Sequence, residues 1–308
     1  MRVLNVVGRL LLALGVLVLL FTAYQLWGTG LSEQHSQSVL RAELGRTLPK
    51  AAGTVARRLA ARPHRPTTAG TPALAPTVAP PAPGQPIGEI DIPAIGLQQV
   101  VVEGVGTTDL RLGPGHYPGT PLPGEAGNVA IAGHRTTYAH PFYDLDAVGP
   151  GTSIVLTSSQ GVFVYTAVSQ QVVAPADVSV IADTTTPMLT LTTCNPRYSA
   201  ATRLVVHARL TSSHLFASAT TPPAAVATHH ARPSSSSSSL AGASGGSVAG
   251  AVAWGAGVLA VVAATLVVAA RMPTRSWRWA VDGLGLLGTL AVLFFFFGAV
   301  SPLLPASL

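Results

Sequence analysis

Three uninterrupted apolar stretches constrain this 308-residue chain more than any other feature: Leu10 to Trp27, Val248 to Ala270, and Gly283 to Leu304 with its Phe294–Phe297 run. At about 1.5 Å rise per residue, each is long enough as a helix to cross a hydrocarbon core of about 30 Å. The first is short, so a cleaved secretory signal is the competing reading. The sequence that follows it, Trp27-Gly28-Thr29-Gly30, offers no small-x-small cleavage site, and a retained anchor is expected. Positive charge in short loops then sets orientation. Arg2 and Arg9 precede the first stretch, and Arg271, Arg275 and Arg278 fill the turn between the second and third. Both clusters belong on the cytoplasmic side if residues 28–247 face outward. The seven basic residues between Arg41 and Arg65 point the other way, but long loops translocate largely regardless of charge. The expectation is an exported block held at the plasma membrane by three spans, with the N-terminus inside.

Composition sharpens that division. Mean hydropathy is +0.45 and only 10% of residues are charged, against about 25% in an ordinary soluble domain. Net charge is +6, yet residues 87–211 hold five basic residues against nine acids. The positive charge therefore lies in the flanks, which argues against a nucleic-acid footprint. Eight prolines among Ala and Thr in 63–86 predict a semi-rigid extended spacer. Residues 212–247, which include Ser234–Ser239, read as a flexible tether. A helix outside the membrane is expected within 32–62, of undecided role. The resulting organisation is an anchor over 1–27, a stalk and linker over 28–86, a folded block over 87–211, a second linker over 212–247, and a helix pair over 248–304. Within 87–211 the short β-branched runs Gln99–Val102, Asn128–Ala132, Ser153–Leu156, Val162–Val168, Met188–Thr192 and Leu204–Leu210 alternate with Gly/Pro clusters. No amphipathic helical period longer than three turns appears. That pattern predicts a β-barrel or sandwich.

Cys194 is the chain's sole cysteine, which excludes an internal disulfide framework and a multi-cysteine metal site. It ends the Thr-rich run Leu189–Thr193 and precedes Asn195-Pro196, so it sits at a strand tip where a loop begins. His134 lies just beyond Gly133, at another strand end. Arg203 follows Cys194 by nine residues, and two strands joined by such a loop can pair and bring the two together. A thiolate is a nucleophile, imidazole carries protons near neutral pH, and a guanidinium can hold a carbonyl or an oxyanion. Taken singly, each residue also has a plain reading: a buried small hydrophobe, a structural histidine, a solvated strand-end charge. His116, His140 and His207 lack metal-ligand spacing with Asp144 or Asp146. Glu103 and Asp109 are set aside as calcium ligands, since nine acids over this block read as solvated surface. No metal and no cofactor is expected.

Several motifs in order add a resemblance. Ile90–Leu97, Val101–Gly104, His116–Pro121, Gly127–Arg135, Phe142–Leu145, and Leu191-Thr192-Thr193-Cys194 with Arg203–Val206 together resemble the sortases, cysteine transpeptidases of Gram-positive bacteria. The resemblance spans essentially all of 87–211 and none of the tethers. It implies a closed barrel of about eight strands, with Cys194 as nucleophile, His134 as general acid/base and Arg203 as substrate or oxyanion clamp. Tyr138, Thr193 and Tyr198 are candidates for lining the peptide groove. Thr192–Ser199 and Gly133–Tyr138 look most like class E, the housekeeping type of high-GC actinobacteria, which suits 17 Arg to one Lys. Such an enzyme is implied to cut an LAxTG- or LPxTG-like signal of secreted proteins after Thr, through a thioacyl-enzyme, and to join them to a peptidoglycan amine of lipid II or a stem peptide. The two-helix C-terminal tail departs from the family pattern, and class C pilin-polymerising enzymes often carry a C-terminal span. The alternatives are a class C-like role, a hydrolase using the same residues, and a non-enzymatic envelope protein with Cys194 buried.

Overall fold

The computed structural model describes residues 15–60, 72–216, 248–271 and 275–300. Eight strands form one closed barrel: β1 (Pro86–Ile92), β2 (Leu97–Glu103), β3 (Gly115–His116), β4 (Asn128–Ala132), β5 (Ser153–Thr157), β6 (Gly161–Val173), β7 (Met188–Asn195) and β8 (Thr202–Leu215). Their order around the barrel is β1-β2-β3-β4-β7-β8-β6-β5, closed by β5 on β1. The pairs β2–β3 and β4–β7 are parallel and the rest antiparallel. Closure leaves no open sheet edge along the paired registers.

The interior is filled by residues of every strand but β3, including Ile90, Ile92, Val129, Ile131, Phe163, Tyr165, Leu189, Leu191 and Val206. β4 is buried at all five positions. Val129 and Ile131 face the barrel core, while Ala130 and Ala132 pack outside it with Tyr117, Val180 and Val205. A strand covered on both faces reads as a continuous apolar run, as Asn128–Ala132 does.

Three polar features lie where the sequence suggests only surface or spacer. Glu103 is buried against fully buried His116, with Oε2 2.7 Å from Nδ1. The other ring nitrogen lies 3.0 Å from the Pro121 carbonyl and 2.9 Å from Thr120 Oγ1. Glu103 is therefore a core residue, not part of a solvated surface.

The second feature is the segment before the barrel. Helices α1 (Thr29–Thr47) and α2 (Ala52–Ala60) lie directly on it. Leu40 and Leu44 of α1 pack on Val100 and Val102, and Ala52 of α2 joins Val155, Val162, Val164 and Phe216. Gln37, 2% exposed, donates from Nε2 to the carbonyls of Val100 (3.0 Å) and Leu112 (2.8 Å) and accepts at Oε1 from the Val100 N–H (2.7 Å). Its side chain pairs with β2 as a neighbouring strand would. Gln37→Ala would leave those buried backbone groups unsatisfied, and about 2–4 kcal/mol of stability should be lost. A lowered denaturant midpoint with an unchanged m-value checks this.

Third, the described half of the proline-rich segment is laid along the barrel. Ala75 N–H donates to Gly124 O and Val78 N–H to Glu125 Oε1, while Gln160 and Ser213 donate to the carbonyls of Pro76 and Ala73. It is extended as expected, but anchored: the backbone groups that proline-rich chain leaves unpaired are taken up by the barrel.

The chain divides into two units, the second of which holds these helices and the barrel. In the other, helices Val248–Arg271 and Arg275–Val300 are each long and apolar enough to cross a membrane. Leu259, Leu284 and Leu287 on them are well exposed. Residues 15–23 are helical and lead into the π-turn Tyr24–Gly28. Phe21 and Tyr24 meet Phe297 and Phe294 edge-on, with ring centroids 5.2 and 5.0 Å apart. The remainder of the first apolar stretch, and the 217–247 tether, fall outside the described residues.

Candidate active site

β7 ends on Cys194 and Asn195 because Pro196 lacks the N–H that would continue the ladder. Two neighbours flank this end. On the antiparallel side β8 returns so that Cys194 pairs directly with Arg203 and Asn195 with Thr202. On the parallel side β4 runs beside β7 with Ala132 opposite Thr192, and Gly133 N–H donates to the Thr192 carbonyl at 3.1 Å. His134 and Cys194 each stand two residues beyond that last pair. The barrel thus brings His134, Cys194 and Arg203 to adjacent strand ends.

Thr193 is buried, and its hydroxyl donates to the Gly133 carbonyl at 2.8 Å. It ties the two strands together rather than presenting a hydroxyl to a groove. Tyr117 does the same one residue earlier, its hydroxyl 3.1 Å from Thr192 Oγ1. Cys194 itself is half-buried and free. Arg203, 7% exposed, donates from Nη1 to the carbonyls of Ala200 (3.0 Å) and Thr202 (3.1 Å).

The segment after His134 folds back tightly. A Cβ at Gly133 would come within 2.6 Å of the Phe142 ring, so only glycine admits Phe142 beneath the strand end. Phe142 N–H then donates to the His134 carbonyl at 3.0 Å. Tyr138, Ala139 and His140 all take left-handed backbone, φ 49, 50 and 41. For non-glycine residues this costs of order 1–3 kcal/mol each, and such strain clusters at functional sites. The Tyr138 ring lies against His134, centroids 5.0 Å apart, and the Arg111 guanidinium lies over the Tyr138 ring, 5.6 Å from its centroid. Tyr198 stands in the β7–β8 loop, 62% exposed and left-handed at φ 64.

His134 Nε2 is shielded from solvent with no hydrogen-bond partner among the described residues. Burial, and second the positive charge of Arg111, push the imidazole down to about 4. His134 is therefore neutral at pH 7 and able to accept a proton. The sign follows: between the ordinary histidine value and about 4, the unfolded chain binds a proton here that the folded chain does not. This group accordingly destabilises the fold progressively as pH falls through that window. An NMR titration of the ring should place His134 near 4, and Arg111→Gln should move it upward.

Reading residues singly misses two arginines of this region. Arg135, next to His134, and Arg197, in the β7–β8 loop, both reach the 143–146 turn. Arg197 stacks on Tyr143 at 4.3 Å and donates to Asp144 and Asp146 at 3.0 Å. Arg135 was visible only as a neighbour of His134 in the Gly133-His134-Arg135 motif. His140 is exposed, and His207 sits between Thr190 and Gln171, away from Cys194 in the ladder.

Comparison with known proteins agrees with this architecture. Residues 90–211 match the Sortase family, described as a sortase domain. Sortase SrtE1 of Streptomyces coelicolor is 28% identical over 220 residues, 66% of this chain and 56% of that protein. Sortase D of Bacillus subtilis is 35% identical over 117 residues, covering 38% and 58%. The chain thus spans somewhat over half the length of these two curated relatives. Among solved structures, sortase E of Streptomyces avermitilis is 36% identical, covering 46% of this chain and 97% of that one, with a TM-score of 0.41. Residues 90–211 of this chain are thus a sortase domain.

Proposed function

We propose that this protein is a membrane-anchored class E-type sortase. In this reading it cleaves an LAxTG- or LPxTG-like signal on secreted proteins between Thr and Gly and transfers the Thr carbonyl to a peptidoglycan amine. The observation that carries it is the strand register, which sets the only thiol between a neutral imidazole and a buried guanidinium. Similarity to Sortase SrtE1 favours class E over a class C-like role.

The chemistry follows from those groups. The Cys194 sulfur attacks the Thr carbonyl, and its proton passes to neutral His134. The carbonyl oxygen becomes an oxyanion facing Arg203, whose directed N–H donors stabilise it. Collapse breaks the Thr–Gly C–N bond, and His134 returns the proton to the departing Gly amine. A thioacyl-enzyme remains. An incoming amine loses a proton to His134 as it attacks the thioester, and Cys194 leaves as the thiol. Tyr138 and Tyr198 line the groove on the two sides of this centre. The two C-terminal helices and the N-terminal segment anchor the domain at the plasma membrane, with the helix ends that carry Arg271, Arg275 and Arg278 on the cytoplasmic side.

The test is incubation of the full chain with LAxTG and LPxTG peptides, with and without a cell-wall amine. Cleavage after Thr with an amine-linked product supports transpeptidation. Release of only the free acid in saturating amine makes it a hydrolase. No cleavage together with a Cys194 inert to alkylation makes it a binding protein.

A further inference from the structure

Arg135 is 4% exposed although it carries a full charge, and the reaction above gives it no role. Its guanidinium spans three pieces of chain. Nη1 donates to the Cys194 carbonyl at 3.2 Å and to Asn195 Oδ1 at 2.8 Å. Nη2 pairs with Asp146 at 3.2 Å, and Nε points to the Tyr143 carbonyl at 3.4 Å. Asp146 in turn holds Arg197 of the β7–β8 loop. Below this level, ladder hydrogen bonds fix β4 to β7 only as far as Thr192. Beyond it, the residues that must meet, His134 and Cys194, lie past the end of the parallel ladder. Thr193 ties to the Gly133 carbonyl one step past the ladder, and Arg135 carries the tie further: it follows His134 directly and bonds the Cys194 carbonyl itself.

We propose that Arg135 is a positioning residue, its buried fork fixing the Cys194–Asn195 peptide at a set distance from His134, with Asp146 and Arg197 securing the loop that follows. Asn195 extends the chain of contacts, since its Nδ2 donates to Thr202 Oγ1 and Thr202 donates back to Asn195 O, beside Arg203. One guanidinium therefore registers both flanks of the thiol. The forked, planar geometry is what matters: a lysine ammonium keeps the charge but cannot hold two acceptors and a carboxylate at fixed angles. A misplacement of about 1 Å at a reacting centre typically costs on the order of 10²-fold in rate.

This inference rests on Cys194 being the acyl-forming nucleophile, so the test reads position and turnover separately. Full-length Arg135→Lys and Arg135→Ala are compared with the parent by hydrogen exchange, peptide turnover and thermal midpoint. The expected result has three parts. Amides of 193–199 exchange roughly tenfold faster in both variants while the barrel strands keep their protection. kcat falls about 10²-fold with KM little changed. Added guanidinium ion restores part of kcat to Arg135→Ala but not to Arg135→Lys. Unchanged exchange at 193–199, or a uniform rise across all strands, overturns the proposal. So does a loss of turnover confined to KM. A parent that shows no Cys194-dependent turnover overturns the functional reading instead, and the exchange comparison still decides the role of Arg135.

Discussion

Cys194→Ala should abolish thioacyl formation and transfer, at least 10³-fold, while the protein stays folded. The chain has no other thiol to substitute for it. The fold should tolerate the change because the contacts that organise this strand end use its backbone. Arg135 bonds the Cys194 carbonyl, and β8 pairs with the Cys194 main chain. Replacing a half-buried thiol by a methyl should shift stability by no more than about 0.5 kcal/mol. Transpeptidation by the purified Ala variant near the parent rate removes Cys194 from the chemistry. Loss of activity accompanied by loss of the cooperative unfolding transition would point instead to a packing role.

Arg203→Lys should be nearly as damaging, despite conserving charge. Both side chains are cationic at pH 7, so a purely electrostatic influence on the thiol survives the change. Geometry does not. Arg203 already commits Nη1 to the carbonyls of Ala200 and Thr202, which close the loop after Cys194. A guanidinium has three nitrogens with which to hold that loop and still direct donors at a substrate oxygen, whereas an ammonium has one. Loss of an oxyanion donor costs about 10²–10³ in kcat, or roughly 3–4 kcal/mol. Turnover should drop by that factor while alkylation of Cys194 stays nearly as fast. Near-normal turnover with lysine at 203 would reduce Arg203 to a charge.

Much of the barrel is written locally, because short β-branched runs bounded by Gly and Pro leave little else for the chain to do. Asn128–Ala132 is β4 to the residue. β6, in contrast, continues from Val168 to Val173 through Ser169-Gln170-Gln171, a polar, exposed stretch with no core signature. It is held extended by pairing with Leu204–His207 of β8. β3 is two residues long and owes its existence to β2 and β4 on either side of it. The pairing of Cys194 with Arg203 was legible because a nine-residue separation across a loop is a local relation. His134 is sixty residues from Cys194 in sequence, and its approach depends on a parallel β4–β7 contact that no local pattern encodes. The same holds for Arg135 and Asp146, for Gln37 against β2, and for Glu103 against His116. Each is a polar residue whose meaning lies in a distant partner, and in isolation such residues look like surface.

The most direct measurement is the intact mass of the full chain held with an LAxTG peptide in the absence of any amine, followed by addition of a cell-wall amine. The account predicts an added mass equal to the acyl portion ending in Thr, mapped to Cys194 and lost on amine addition as the amide product appears. Cleavage of the peptide without any adduct at Cys194, or an adduct that the amine does not discharge, would contradict it.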